Sequence, residues 1–142
     1  MKRESSNFPP GNGSEGESDE RARLEALVEK VIGAAYEVSN CSGGRLPGKD
    51  LRTLIEELGL RGLRVKPQAP FPVAYKGKLI GTYSADLVVD DRLLVETKCV
   101  EQFSNEHLAQ CINYLKASGL HLALLINFRH PKVEWRRVVR NL

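Results

Sequence analysis

The chain has 142 residues, 42% of them apolar and 27% charged, with a formal net charge of +3. That is the size of one domain with enough apolar material for a core, and no apolar run approaches the roughly 20 residues of a membrane span. Three cysteines, Cys41, Cys99 and Cys111, lack close spacing, which argues against a disulfide framework or a structural zinc or iron–sulfur cage and for a reducing, cytoplasmic setting.

The charge is unevenly spread. Residues 1–20 set two bases against five acids, a balance of −3, so the remaining 122 residues carry +6. Rich in Ser, Gly, Pro and Glu, residues 1–20 read as a disordered acidic tail, leaving 21–142 as the folded domain. The N-terminus has no apolar stretch of the secretory kind. A moderately basic domain suits a polyanionic partner.

Leu24, Leu27, Val28, Val31, Ile32, Ala35 and Val38 recur at helical spacing and predict a first amphipathic helix that ends in Ser39–Gly44. A second helix runs from about Lys49 to Leu60, with Leu51, Leu54, Ile55 and Leu58 as its apolar face. Four extended segments follow: Leu63–Lys66, stopped by Pro67; Phe71–Tyr75; Tyr83–Val89; and Leu93–Val100. Ser104 or Asn105 caps a third helix to about Ala117, which Gly119 ends. Leu122–Ile126 is continuously apolar, as expected of a strand covered on both faces. Val133–Val139 alternates and reads as an edge strand with a basic surface. A helix between the hairpin and the apolar strand can form a βαβ crossover. The expected class is α/β, with a mixed central β-sheet flanked by helices.

The chemistry concentrates in the hairpin Tyr83–Val100. With Asp90-Asp91-Arg92 as the turn, Glu96 lies opposite Asp86. Two carboxylates facing each other repel unless a cation lies between them, and Lys98 shares the face of Glu96. Mg²⁺, or Mn²⁺, suits such a pair, because it takes carboxylate oxygen and still binds phosphate oxygen. The Thr97 carbonyl can add a ligand, and Lys98 can stabilise developing charge on phosphate. On the residues alone, a structural ion pair is an equal alternative. Near the C-terminus, Lys132, Arg136 and Arg137, interleaved with Trp135, can follow a phosphate backbone; a solvated strand face is nearly as good a reading.

Asp86 followed by Glu96-Thr97-Lys98 resembles the motif of the PD-(D/E)XK nuclease superfamily, with Ala85 in place of the motif proline. The GxxExxY branch is the closer likeness. Val31–Val38, Gly62-Leu63, Tyr75–Lys78, Ala85–Leu87, Leu94–Lys98, Gln110, Asn113–Ala117 and Leu125–Phe128 all resemble it. The resemblance implies a restriction-endonuclease-like αβββαβ core, a Mg²⁺-type cofactor and DNA hydrolysis by Asp86, Glu96 and Lys98. Gln110 and Tyr114 resemble the Gln-x-x-x-Tyr element of RecB-like nucleases, where they would orient Lys98 or contact substrate. An acidic residue of the first helical region, here Glu37 with Asp50 as a substitute, would complete the metal shell. The likeness breaks in Gly44–Asp50, where Pro47 stands in the place of a glutamate, and at Ser39, where a histidine is usual. The alternative is therefore a catalytically impaired, nuclease-derived domain that binds nucleic acid or a protein partner. Oligomeric state is left open.

Overall fold

A computed structural model describes residues 15–41 and 49–141. Helices α1 (Glu15–Cys41) and α2 (Lys49–Leu60) lead into a strand meander of β1 (Val65–Tyr75), β2 (Lys78–Val89) and β3 (Leu93–Lys98). Helix α3 (Asn105–Ser118) then crosses to β4 (Leu122–Asn127), and β5 (Glu134–Val139) closes the chain. The five strands form one sheet in the order β1-β2-β3-β4-β5. Only β3 and β4 run parallel, with Glu96 beside Leu125 and Lys98 beside Asn127; the other pairs are antiparallel.

Two apolar layers hold the sheet. On one face, Leu24, Leu27, Val28, Val31, Ala34, Ala35 and Val38 of α1, with Leu54 and Leu58 of α2, pack on Leu87, Val89, Leu93, Val95, Leu122, Leu124 and Ile126. On the other, Cys111, Tyr114 and Leu115 of α3 pack on Ala85, Leu94, Ala123, Leu125 and Val138. Successive residues of β3 and β4 therefore alternate between the two layers. Each is covered on both faces, as the unbroken apolar run of β4 predicts.

Strand β2 begins at Lys78 rather than at Tyr83, and three further features differ from the sequence expectation. Helix α1 begins at Glu15, inside the stretch read as tail; residues 1–14 lie outside the described residues. Glu17, Asp19 and Glu20 place negative charge on the first turns, where the helix dipole favours it. Asp19 pairs with Arg23 at 2.7 Å, and Glu20 ties the helix to Arg92 in the β2–β3 turn at 3.1 Å. Second, the two segments split at Pro67 are one strand, β1. It is an edge strand, so Pro67, Pro70 and Pro72 withdraw N–H groups without breaking an interior ladder. Third, Arg137 is an internal residue, described below.

The β2–β3 turn is as expected. Asp90 and Asp91 both adopt left-handed backbone, at φ 51° and 56°, which acidic and amide residues tolerate best after glycine. The Asp90 carboxylate accepts the Arg64 N–H at 2.8 Å, while Lys66, bonding Asp91 at 2.6 Å, holds the Asp91 carboxyl below its usual range. The register that follows is Leu87↔Val95, Val88↔Leu94 and Val89↔Leu93. Beyond Leu87 the ladder stops, at the position where Asp86 and Glu96 meet.

Candidate functional site

Asp86 occupies a break in β2. Ala85 packs in the α3 layer, yet Leu87, two residues on, packs in the α1 layer. Across from Asp86, Gln68 of β1 has φ 51° and makes no ladder pair, although the register on both sides is unbroken. The carboxylates replace the missing ladder. The Asp86 N–H donates to Glu96 Oε1 at 2.9 Å. Asp86 Oδ2 accepts the Thr97 N–H at 2.8 Å and the Thr97 hydroxyl at 3.0 Å. Each strand's acid thus caps the other strand's backbone. Among the described residues, Asp86 Oδ1 and Glu96 Oε2 keep no donor.

Glu96 is 3% exposed. Burial, then the Asp86 charge, push its carboxyl up to about 7 against the pull of the Asp86 N–H and Lys98. A buried acid that titrates near neutrality, beside a second acid with a free oxygen, suits a hard divalent cation; its arrival would favour the anionic form. The donor set fits such a group through Asp86 and Glu96. Among the described residues, no three His, Cys, Asp or Glu side chains gather in a way that would hold a metal. Glu37 is exposed near the end of α1 and does not join the pair. Asp50 is buried at the start of α2 and does not join it either. Gly44 and Pro47 lie outside the described residues. Thr97 meets Asp86 through its amide and hydroxyl.

Lys98 Nζ donates to Gln110 Oε1 at 3.0 Å, so α3 fixes the lysine from above the sheet. Ser104 caps that helix. Its hydroxyl accepts the His107 N–H, and its own N–H donates to His107 Nδ1 at 3.1 Å. One turn beyond Gln110, Tyr114 is buried, and burial followed by the Glu96 charge raises its phenol to about 12. It stays a neutral donor at working pH. Tyr83 meets Tyr114 edge-on, with ring centroids 5.5 Å apart. Tyr83, Glu106, Ala109, Gln110, Asn113 and Tyr114 line an open cleft of about 350 Å³, which shares Gln110 with the lysine. Cys111, under the same helix, is an inert thiol raised to about 12 by burial and the nearby Glu96 charge.

Sequence reasoning missed Asn127. It is fully buried at the end of β4. Its Oδ1 accepts the N–H groups of Val100 and Arg129, each at 3.1 Å, and its Nδ2 donates to the Val100 carbonyl at 2.7 Å. Phe128 N–H adds a bond to the Lys98 carbonyl at 2.9 Å. Asn127 therefore fixes the chain as it leaves Lys98. An amide at the end of an otherwise apolar strand was the available signal.

The basic cluster divides. Arg136 is exposed and lies 5.7 Å over the Phe103 ring, and Lys132 is exposed. Arg137 corrects the expectation of a nucleic-acid contact. β5 alternation turns it toward α1, where it grips Glu25 with two bonds of 2.7 and 2.8 Å and is only 12% exposed.

A mixed sheet with an α3 crossover, two acids across adjacent strands and a lysine two residues beyond the second defines a nuclease-like α/β class. The model of the PD-(D/E)XK nuclease superfamily matches residues 25–138. The chain belongs to that superfamily, and its fold is the restriction-endonuclease-like one. The crystal structure of SSO0001 superposes with a TM-score of 0.51 at 15% identity, over 87% of this chain and 63% of that one. The alkaline exonuclease LHK-Exo from Laribacter hongkongensis gives a TM-score of 0.46 at 16% identity, over 61% of this chain and 52% of that one. The chain thus spans less than two thirds of the length of either. Comparison with curated proteins gives no match.

Proposed function

We propose that the chain is a metal-dependent nuclease domain that hydrolyses DNA phosphodiester bonds, and that it lies in the GxxExxY branch of its superfamily. The observation that carries this is the Asp86–Glu96 pair, with one oxygen of each left without a donor among the described residues and Glu96 raised to about 7, next to a lysine fixed by Gln110. Asp86 and Glu96 would hold a divalent ion, Mg²⁺ or Mn²⁺. Bound there, it supplies Lewis-acid polarisation of a phosphate oxygen and a more acidic water. Glu96 would hold the ion as its anion, having given up its proton, and Asp86 keeps the strand junction closed through Thr97. Lys98 places an ammonium where charge develops on phosphorus oxygens. Gln110 orients Lys98, and Tyr114 keeps a hydroxyl donor against the cleft. Free thiols at Cys99 and Cys111 accord with a cytoplasmic location. Among the described residues, no helix is long and apolar enough to cross a membrane.

One observation favours a second reading, a nuclease-derived domain that binds without turnover. Among the described residues no third ligand joins the pair, and Pro47 replaces a carboxylate in the upstream motif. Cleavage of single-stranded and duplex DNA with Mg²⁺ or Mn²⁺ separates the two. Activity that disappears in Lys98→Ala and Glu96→Ala supports the nuclease. DNA binding without cleavage, unchanged in both variants, supports the second reading.

A further inference from the structure

Beyond the carboxylates, β1 and β2 continue as a long two-stranded arm that ends at Lys76-Gly77. The arm exposes what a monomer ordinarily covers: Tyr75 is 61% exposed, and Leu79 and Ile80 are 63% each. A register shift between Val73 and Ala74 leaves Ile80 without a partner, the mark of a bulge that twists the end of the arm. The charge there has one sign. From Leu58 to Ala85 the sequence holds Arg61, Arg64, Lys66, Lys76 and Lys78 and no acid. Arg61 pairs with Glu57, and Arg64 and Lys66 pair with Asp91. Lys76 and Lys78 meet no acid among the described residues, and Lys76 lies 5.4 Å over the Tyr75 ring. Two ammonium groups that meet no acid among the described residues, beside three exposed side chains with apolar faces, match a polyanion whose charged backbone flanks stackable faces.

We propose that the tip of this arm is a nucleic-acid wedge, in which Lys76 and Lys78 hold phosphates while Tyr75, Leu79 and Ile80 press against or between bases. Apolar wedges of this kind unstack base steps, and neighbouring lysines follow the backbone. At ~3.3 Å per residue Leu79 lies about 23 Å along β2 from Asp86, roughly seven nucleotide steps of 3.4 Å. The substrate would therefore be gripped well away from the bond at the carboxylates. Its partner class rests on the nuclease reading, but its test needs no cleavage.

Binding of labelled single-stranded and duplex DNA is measured across salt concentrations, with Ca²⁺ in place of Mg²⁺, for the full chain and two double variants. Lys76→Ala with Lys78→Ala should lower the slope of log affinity against log salt by about 1.4 on single strands and 1.8 on duplex. Leu79→Ser with Ile80→Ser should weaken binding about tenfold with the slope unchanged. All four positions are exposed, and unaltered circular dichroism shows that the variants fold. Unchanged affinity and slope in both variants overturn the wedge. So does a loss of self-association in Leu79→Ser with Ile80→Ser at unaltered DNA affinity, which would make the arm a contact between copies. Cleavage of the same DNA by the parent with Mg²⁺ is scored separately, so a failed nuclease leaves the wedge result readable.

Discussion

Glu96 makes the sharpest prediction, because its burial should be visible as a dependence of stability on pH. Its carboxyl stands at about 7 in the fold against 4.5 in the unfolded chain. The folded state therefore holds a proton that the unfolded state has lost, and folding stability falls as pH rises between those values. The contribution is fully present below pH 4.5 and is lost as pH climbs through 7. The difference of about 2.5 units corresponds to roughly 3 kcal/mol at 1.36 kcal/mol per unit. Glu96 is 3% exposed, so solvent screening removes little of this. Urea unfolding from pH 4.5 to 8.5 in chelator reads it, as the difference between the parent and Glu96→Gln, which keeps an acceptor for the Asp86 N–H. The parent should lose roughly 3 kcal/mol relative to the variant across the window. Millimolar Mg²⁺ or Mn²⁺ should return part of it at pH 8, since the ion selects the anion. Parallel curves for the two proteins would refute the burial argument.

Three further outcomes follow from the same geometry. Arg137→Ala removes two charged hydrogen bonds to Glu25 and should cost about 2 kcal/mol; DNA affinity should stay within twofold, whereas a large loss would restore Arg137 to the binding surface. Asn127→Leu leaves the Val100 amide and carbonyl without partners and should destabilise by about 2–3 kcal/mol; hydrogen exchange at Val100 should rise sharply while exchange in α1 changes only with global stability. Ser104→Ala removes the cap of α3, costing about 1 kcal/mol of stability, and should lower any cleavage rate by loosening the Gln110 hold on Lys98.

The hairpin was legible because three local signals agree. The polar triplet Asp90-Asp91-Arg92 marks the turn, the apolar period fixes the faces, and the count across the turn sets Glu96 against Asp86. Helix α3 was legible from Ser104 and Gly119, and β4 from its unbroken apolar run. What escaped depended on neighbours distant in sequence. Pro67 reads as a strand end until β1 proves to be an edge. Arg137 looks like surface charge until β5 turns it toward Glu25, 112 residues away. Glu15–Glu20 read as tail because composition outweighs a helix start whose anchor, Arg92, lies on another element. Asn127 looks like an ordinary strand end until the loop after Lys98 folds onto it. The third member of a metal shell was expected at Glu37, which is exposed and apart from the pair.

The account stands most directly on whether Asp86 and Glu96 hold a divalent ion. Calorimetric titration of Mn²⁺ into the protein at pH 6, in buffers of different ionisation enthalpy, measures both binding and the proton it displaces. The account predicts one site, a release approaching one proton that vanishes by pH 8.5, and no site in Asp86→Asn with Glu96→Gln. Binding retained in that double variant, or no binding by the parent, would contradict it.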